Sequence, residues 1–373
     1  MPIYKQKEKN KAGLYRYNVR INYIDTFGKY RQITRSAWGL QAAKELELQL
    51  NNTLNDNELC NSTLSIKDLF KDFYENRQYD IRPTTMRGYK TNYDNHIKPH
   101  IDNLKIKDLN TRNLNQWKKE INKKDISLKT KRNIYSDLRT ILNYAVKMEY
   151  IPHNPLEKVD NFKDSTYQKP EIVLYTPEEF IKFKIAALKK AKDTGYYDYY
   201  VFFCIAYYTG ARKGEIHALR WNCIDNNRLY IKKSISQKLK GDDVETPPKN
   251  KSSIRSMLLP QPLIDVLNEH KKRQQKSISD WKDDGFICGY YKPLRDTSIE
   301  NENKLYAEIA GVKKIRIHDF RHSHASLLIN NKVNPLEVAH RLGHSTVDQT
   351  LKTYAHLFPN QEDASIAILN TVI

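Results

Sequence analysis

Two arginines, two histidines and a tyrosine stand in the C-terminal half of the chain in an order that could act on a phosphate. Arg212 follows an apolar helical stretch, and Arg321 comes three residues after His318. His344 follows a Leu-Gly pair, and Tyr354 stands ten residues later. A guanidinium donates two parallel hydrogen bonds to a phosphate, and an activated tyrosine hydroxyl can serve as a nucleophile. These residue types therefore favour phosphoryl transfer.

The chain is strongly basic. It contains 63 Lys and Arg residues against 44 Asp and Glu residues, a formal net charge of +19. Such an excess usually indicates a polyanionic partner, and nucleic acid is the common one. A role in solubility alone is the alternative reading of the charge.

The length of 373 residues suggests two or three domains, because single cores rarely grow past about 250–300 residues. The sequence has no long apolar run, and its first residues lack the apolar segment of a signal peptide. We therefore expect a cytoplasmic protein. The cysteines are scattered without a Cys-x-x-Cys pair, which predicts reduced thiols and neither a zinc site nor a disulfide framework. They are Cys60, Cys204, Cys223 and Cys288.

The N-terminal segment, residues 1–58, alternates apolar and polar residues. The alternation over Tyr15–Tyr23 and Lys29–Arg35, with a turn at Asp25–Gly28, predicts strands. A helix is expected from about Leu40. We expect a small three-stranded sheet followed by this helix. A basic sheet of this kind could enter a DNA groove, although a solvated face is the alternative. The arginines that would project from it are Arg16, Arg20, Arg31 and Arg35.

A helical domain is predicted over residues 63–160, after a polar stretch at 51–63 that indicates a linker. Helical periods occur at Thr84–Ile97, Thr111–Asn122 and Ser127–Met148. Basic side chains lie on the polar face of the last of these. They predict contacts with DNA, and the alternative is a solvated helix face. The residues are Lys129, Lys131, Arg132 and Arg139.

The C-terminal domain, residues 170–373, is predicted to be mostly helical with a small antiparallel sheet. Thr176 and Pro177 have the residue types of a helix start. The alternating stretch Leu229–Ile235 is expected to pair with Ser253–Leu259. With the N-terminal sheet and the helical middle, this gives an α+β chain.

The C-terminal motifs resemble the catalytic set of the tyrosine recombinases, and the resemblance extends over essentially the whole chain. Arg212 resembles the first arginine of the family, and Glu215 resembles the acidic residue that supports it. His318 and Arg321 resemble the His-x-x-Arg motif. His344 and Tyr354 resemble the fifth catalytic position and the nucleophile. Lys249 resembles the lysine on the β-hairpin turn of the family.

The resemblance implies a site-specific DNA recombinase, the integrase of a prophage or an integrative conjugative element. Tyr354 would attack the scissile phosphate and form a 3′-phosphotyrosine, while Arg212 and Arg321 stabilise the phosphate. His344 would donate a further hydrogen bond. Lys249 would protonate the leaving oxygen, and His318 would assist proton movement at the tyrosine. No metal or other cofactor is implied.

The resemblance also implies partners. The N-terminal sheet resembles the arm-binding domains of such integrases, so residues 1–58 would bind arm-type DNA sites. The helical and catalytic domains would hold core-type double-stranded DNA. A homotetramer on DNA is expected in the cytoplasm of a bacterial host, associated with the nucleoid. An excisionase and a host DNA-bending protein are expected as accessory partners.

Other functions fit parts of the pattern. A type IB topoisomerase would share the chemistry, and a DNA-binding regulator could keep the fold without catalysis. A metal cluster is another reading of His318, Asp319, His322 and His324. The arginine at position 321 argues against it, because a cation would then lie among the ligands. The full catalytic set and the arm-like segment favour the recombinase.

Overall fold

The structure is a computed structural model that describes residues 3–10, 12–24, 30–55, 64–164, 172–237, 244–246 and 254–354. The chain divides into two compact units, Met1–Gln168 and Lys169–Ile373. Both units combine helices with antiparallel strands, so the expected α+β fold is confirmed. Within the described residues, no helix has the length and apolar character that a membrane crossing requires.

The first unit begins with an antiparallel sheet of three strands in the order β1-β2-β3, followed by a helix. The helix packs on one face of the sheet, where Val19 and Ala43 are fully buried. The expected three-stranded sheet is confirmed, although the alternation located only its second and third strands. The helix continues through Asn55, so the predicted linker begins too early. The elements are β1 (Ile3–Lys9), β2 (Tyr15–Ile24), β3 (Tyr30–Trp38) and α1 (Leu40–Asn55).

The rest of the first unit is helical. Ser65 and Asp68 form a capping box that starts its first helix. A π-helical turn at Tyr93–Ile97 continues the second helix to the end of the predicted Thr84–Ile97 segment. One core, which includes Phe73, holds the helices together. The helices are α2 (Ile66–Arg77), α3 (Pro83–Asn92), α4 (Lys98–Ile101), α5 (Thr111–Lys123) and α6 (Leu128–Lys147).

The second unit is built around one buried helix, α8 (Asp198–Thr209), which is apolar on nearly all sides. Phe320 lies on α12 (Ile317–Asn330) and is fully buried against Phe183 and Phe203, at ring distances of 5.4 and 5.3 Å. This packing fixes the rotation of α12. The other helices are α7 (Pro177–Thr194), α9 (Lys213–His217), α10 (Gln261–Ser277), α11 (Asp296–Ala310), α13 (Pro335–Leu342) and α14 (Val347–Tyr354).

The strands of the second unit form two small antiparallel sheets, ordered β4-β5-β8 and β6-β7. The predicted pairing is correct in its first part, because Leu229 lies opposite Met257. It is wrong for Ser234 and Ile235, which pair with Thr246 and Glu245. The strands are β4 (Ile224–Asp225), β5 (Arg228–Ile231), β6 (Ser234–Ser236), β7 (Val244–Thr246) and β8 (Arg255–Leu258).

Candidate active site and nucleic-acid interface

Arg212 begins α9 at the point where the chain leaves α8. Gly210 ends α8 in the left-handed conformation, with φ of 62°, which allows this sharp turn. The Arg212 backbone NH donates to Glu215 Oε2 at 2.9 Å, as part of the capping box of α9. Its guanidinium also donates to Glu215, from Nη1 to Oε1 at 2.9 Å. The guanidinium is thus fixed on one side, while 37% of the side chain stays exposed.

Arg255 holds the other side of the same carboxylate. Its Nη2 donates to Glu215 Oε2 at 2.8 Å, and its Nε donates to the backbone oxygen of Arg341 at 2.7 Å. Burial alone would raise the pKa of Glu215, but the hydrogen bonds from Arg255 and the charge of Arg212 hold that pKa below its usual value. An ionised Glu215 therefore joins α9 to β8, and Arg255 joins β8 to α13.

Arg321 is buried on α12, with only 3% of the residue exposed. Its Nη1 donates to the backbone oxygen of Gly210 at 2.8 Å. Its Nη2 is buried and has no hydrogen-bond partner among the described residues. Burial and the neighbouring charge of Arg212 lower the pKa of Arg321 to about 9. An anionic ligand would supply both the missing acceptor and the missing charge.

His344 follows α13, whose last turn ends at Gly343 in the left-handed conformation. Arg212 Nη2 donates to the Gly343 backbone oxygen at 3.2 Å, which places this turn beside the first arginine. His344 Nδ1 lies 2.7 Å from the hydroxyl of Thr350, a fully buried residue of α14. Burial, Arg321 and Arg212 lower the pKa of His344 to about 4. The imidazole is therefore neutral at pH 7.

Tyr354 ends α14 and is 2% exposed. Its hydroxyl lies 2.5 Å from Nδ1 of His322, on α12. Burial raises the pKa of Tyr354 to about 12, although the charge of Arg321 acts in the opposite direction. Burial and the nearby His318 lower the pKa of His322 to about 4. At neutral pH a protonated tyrosine thus faces a neutral imidazole.

His318 lies one helical turn before His322. The two rings are perpendicular, with their centroids 5.0 Å apart. His322 therefore lies between His318 and Tyr354, and it is the histidine that contacts the hydroxyl. Lys249 lies outside the described residues.

The basic residues predicted on the helical domain all lie on α6, where Lys131 is partly buried and the other three are exposed. Lys131 Nζ donates to the Asn122 backbone oxygen at 2.9 Å, and Arg132 Nε donates to that of Phe162 at 2.9 Å. Lys129 and Arg139 are exposed. The stripe that faces the core comprises Ile134, Leu138, Ile141, Leu142 and Ala145.

The N-terminal sheet separates the four predicted arginines into two pairs. Arg16 lies opposite Trp38 and Arg20 opposite Thr34, on the sheet face away from α1, which we call the free face. Arg16 also bonds to Glu8 at 3.0 Å and Ser36 at 3.1 Å, and its charge lies 6.0 Å from the Trp38 ring.

Arg31 and Arg35 alternate onto the opposite face. Arg35 lies opposite Val19, whose buried side chain marks the side that α1 covers. The four arginines therefore do not form one surface.

Three residues that the structure places in the cluster were not predicted from the sequence as part of the catalytic set: Arg255, His322 and Thr350. Arg255 contacts Glu215 across 40 positions of sequence, so no local pattern signals the pair. His322 and Thr350 did carry a signal. Each stands four residues from a candidate site residue, His318 and Tyr354 respectively, which is one turn of a helix.

The cluster is suited to bind an anion beside a nucleophile. Arg212, Arg255 and Arg321 provide three positive charges, and the carboxylate of Glu215 pairs with the first two. The charge of the cluster therefore remains positive, and the tyrosine hydroxyl is within the influence of Arg321. A phosphodiester is an anion whose charge increases as a nucleophile attacks, so this site would stabilise the transition state.

Two regions of the chain match families of known proteins. Residues 179–361 match the phage integrase family, and residues 65–122 match the N-terminal SAM-like domain of phage integrases. A solved structure with a similar fold is the Tn1549 transposon integrase in complex with a circular intermediate DNA. It has a TM-score of 0.67 at 18% identity, over 83% of this chain and 100% of that one.

Two relatives align with almost the whole chain. The ICEBs1 integrase of Bacillus subtilis is 28% identical over 95% of this chain and 96% of its own length. A XerC-like tyrosine recombinase of Caldanaerobacter subterraneus is 27% identical over 97% of each chain. With matches in both the SAM-like and the C-terminal regions, the chain belongs to the phage integrase family and is a tyrosine-type site-specific DNA recombinase.

Proposed function

We propose that Tyr354 is the nucleophile of this recombinase and that Arg212 and Arg321 hold the scissile phosphate. The observation that carries the proposal is the unused Nη2 of Arg321, a buried donor within a positive cluster. A phosphate oxygen at this nitrogen would satisfy the hydrogen bond and offset the charge. The tyrosine oxygen would then form a 3′-phosphotyrosine and release a 5′-hydroxyl.

The other site residues support this reaction in separate ways. His344 would donate to a nonbridging oxygen through Nε2, because Thr350 occupies its Nδ1. Glu215 positions Arg212 through two hydrogen bonds. Lys249 would protonate the leaving oxygen. His318, whose ring lies beside that of His322, would assist proton movement at the tyrosine.

The arginines supply the positive charge that a metal ion would bring to a phosphoryl transfer, so the proposed chemistry needs no metal. The released 5′-hydroxyl attacks the phosphotyrosine of a partner strand, which conserves the bond energy without a cofactor. Repeated on both strands, this exchange integrates or excises a mobile element, such as a prophage or an integrative conjugative element.

We propose three functional domains: residues 1–58 for arm-type DNA, 63–160 for core-type DNA, and 170–373 for catalysis. Arg16 and Arg20 on the free sheet face, and Lys129 and Arg139 on α6, would contact phosphates. Lys131, Arg132, Arg31 and Arg35 would contribute mainly to the surrounding positive potential.

DNA is the partner of this chain, and we further propose that four copies act together on it. Two recombining duplexes have four strands to cut, and the proposed chemistry uses one Tyr354 for each strand. An excisionase and a host DNA-bending protein would set the direction of the reaction. The protein would act at the nucleoid, in the cytoplasm of a bacterial host.

The test is Tyr354→Phe, which removes one oxygen atom from a buried side chain. On a nicked core-site duplex that traps the covalent intermediate, the variant should bind DNA and form no adduct. Tyr291→Phe is the matched control, because Tyr291 is 65% exposed and its hydroxyl bonds to Asp280. Mapping of the wild-type adduct to a tyrosine other than Tyr354 would contradict the proposal.

A further inference from the structure

The residue in contact with the tyrosine hydroxyl is His322, next to Arg321 in sequence. Its Nδ1 lies 2.5 Å from the Tyr354 oxygen, and the two ring centroids are 5.5 Å apart. Because α12 is fixed by the buried Phe320, this contact belongs to the folded core of the domain. The His318 ring, one turn earlier on α12, lies perpendicular to the His322 ring at a centroid distance of 5.0 Å.

The surroundings of His322 keep its ring neutral. Burial is the largest cause of the lowered pKa of His322, and electrostatic interactions with His318, Arg321 and Arg316 lower it further. The carboxylate of Asp319 acts in the opposite direction. Together they lower the pKa of His322 to about 4. A neutral imidazole retains a lone pair on one nitrogen, and that nitrogen can accept the hydrogen bond of a hydroxyl.

The other candidate acceptors of the site are already engaged. His344 Nδ1 lies 2.7 Å from Thr350. Asp319 accepts two hydrogen bonds from Arg316, at 2.8 and 2.9 Å. Glu215 is paired with two arginines. Within the described part of the chain, the tyrosine hydroxyl has one hydrogen-bond partner, and it is His322.

We propose that His322 is the general base that accepts the proton of the nucleophile, an inference that rests on the proposed role of Tyr354. The O–H bond of Tyr354 breaks, the phenolic oxygen bonds to phosphorus, and the proton moves to Nδ1 of His322. The bond from phosphorus to the 5′ oxygen breaks, and that oxygen takes a proton from its donor, proposed as Lys249. In the reverse step His322 returns its proton to the tyrosine.

Bound DNA would strengthen this base. Arg321, one of the charges that disfavour a protonated His322 in the free protein, is a group whose charge the bound phosphate would offset. The imidazolium formed during attack would then lie beside an anion. The base would therefore act when substrate is bound.

The test compares His322→Asn and His322→Phe in the full-length chain. The Asn amide can accept a hydrogen bond near the position of Nδ1 but cannot take a proton, and Phe can do neither. The rate of adduct formation in a single turnover should fall about 10²–10⁴-fold in both variants, the range that a general base contributes. His340→Asn, an exposed histidine of α13, is the matched control and should keep the wild-type rate.

Two altered reactants separate a general base from a structural role. With 3,5-difluorotyrosine at position 354, which loses its proton more readily, the defect of His322→Asn should shrink at least tenfold. A 5′-bridging sulfur, which leaves without a proton, should not rescue this variant. Each defect is measured as the rate of adduct formation by the variant divided by that of the wild-type protein, with the same tyrosine at position 354 and the same DNA. Partial misfolding would lower the rate ratio equally for every reactant. It would therefore not produce rescue by the fluorinated tyrosine without rescue by the bridging sulfur.

The outcomes are distinguishable. A wild-type rate in His322→Asn, or a defect that the fluorinated tyrosine leaves unchanged, overturns the role of His322 as a base. The tyrosine that carries the adduct in the wild-type protein is mapped first. An adduct on a tyrosine other than Tyr354 would overturn the proposed function itself.

Discussion

At the scale of single residues, Thr350 determines which nitrogen of His344 can reach a phosphate. The pair is buried, and the imidazole is neutral at pH 7. If the Thr350 hydroxyl donates to Nδ1, the proton of the ring must lie on Nε2. Nε2 is then a donor, as the proposed contact with a phosphate oxygen requires.

Thr350→Val should therefore slow cleavage while DNA binding is kept. The substitution preserves the shape and removes a hydrogen bond worth about 0.5–1.5 kcal/mol, so the rate should fall roughly two- to thirteenfold. Thr353→Val is the control, because among the described residues the Thr353 hydroxyl bonds only within its own helix, to the Gln349 backbone oxygen. Single-turnover adduct formation measures the effect. Equal rates in both variants would show that Thr350 does not orient His344.

His324 links the fold to pH. It lies on α12, is 4% exposed, and its Nδ1 lies 2.8 Å from the Tyr207 backbone oxygen. Burial and the charge of Arg341 lower its pKa from 6.5 to about 3. Between these values the unfolded chain binds more protons than the folded one. The free energy of unfolding should therefore decrease as pH falls through this window.

His324→Asn should flatten this dependence, because an amide can keep the bond to Tyr207 and does not titrate. We expect the melting temperature of the wild type to fall from about pH 6.5 to pH 4, and that of the variant to fall less. Differential scanning calorimetry at several pH values measures both slopes. Parallel slopes would assign the acid sensitivity to other groups, such as His322 and His344.

At the scale of elements, two glycines end helices in the same conformation but in different surroundings. Gly343 ends α13 with φ of 64°, and a Cβ there would lie 2.8 Å from Arg255 Nη1. Gly311 ends α11 with the same φ of 64°, and a Cβ there would meet nothing within 4 Å. Comparing alanine substitutions at the two glycines therefore separates the cost of a left-handed backbone, which both share, from the effect of displacing Arg255, which only Gly343 contacts.

Gly311→Ala should cost about 1–2 kcal/mol through the left-handed backbone alone. Gly343→Ala should cost more, and it should also slow cleavage, because it displaces Arg255 and the carbonyl that accepts from Arg212. Urea unfolding and single-turnover cleavage are the measurements. If Gly343→Ala unfolds and cleaves as Gly311→Ala does, Arg255 does not organise the site.

The sequence predicted the elements better than their connections. Periodicity located α5 and α6 to within one residue, since long amphipathic helices carry their own signal. It paired all of Leu229–Ile235 with one strand, whereas the structure uses two partners. Short strands have too few residues to encode their partner.

The candidate site shows the same division. Arg212, Arg321, His344 and Tyr354 could be found because their motifs are local. Arg255 could not, because its role depends on a buried contact between distant segments. The four N-terminal arginines were predicted to project from the sheet, but their division between its two faces depends on the register of two strands, which is not visible in the composition.

At the scale of the whole molecule, the charge of +19 should make DNA binding sensitive to salt, and we propose that the N-terminal sheet contributes part of this sensitivity. Arg16 and Arg20 project from the free face of the sheet, and Arg31 and Arg35 from the face that α1 covers. A tethered domain raises the local concentration of its neighbours on the same DNA. We propose that the free face holds one DNA site while the catalytic domain holds another.

The double variants R16A/R20A and R31A/R35A remove the same charge and test this division. R16A/R20A should weaken binding of the full chain to a duplex that contains the attachment region. It should also lower the salt slope by roughly 0.9 for each phosphate that the variant no longer neutralises. R31A/R35A should have the smaller effect. Cleavage of short core duplexes should stay unchanged in both, because the proposed catalytic residues are untouched. Equal weakening in the two variants would mean that net charge, and not the free sheet face, governs DNA binding by this domain.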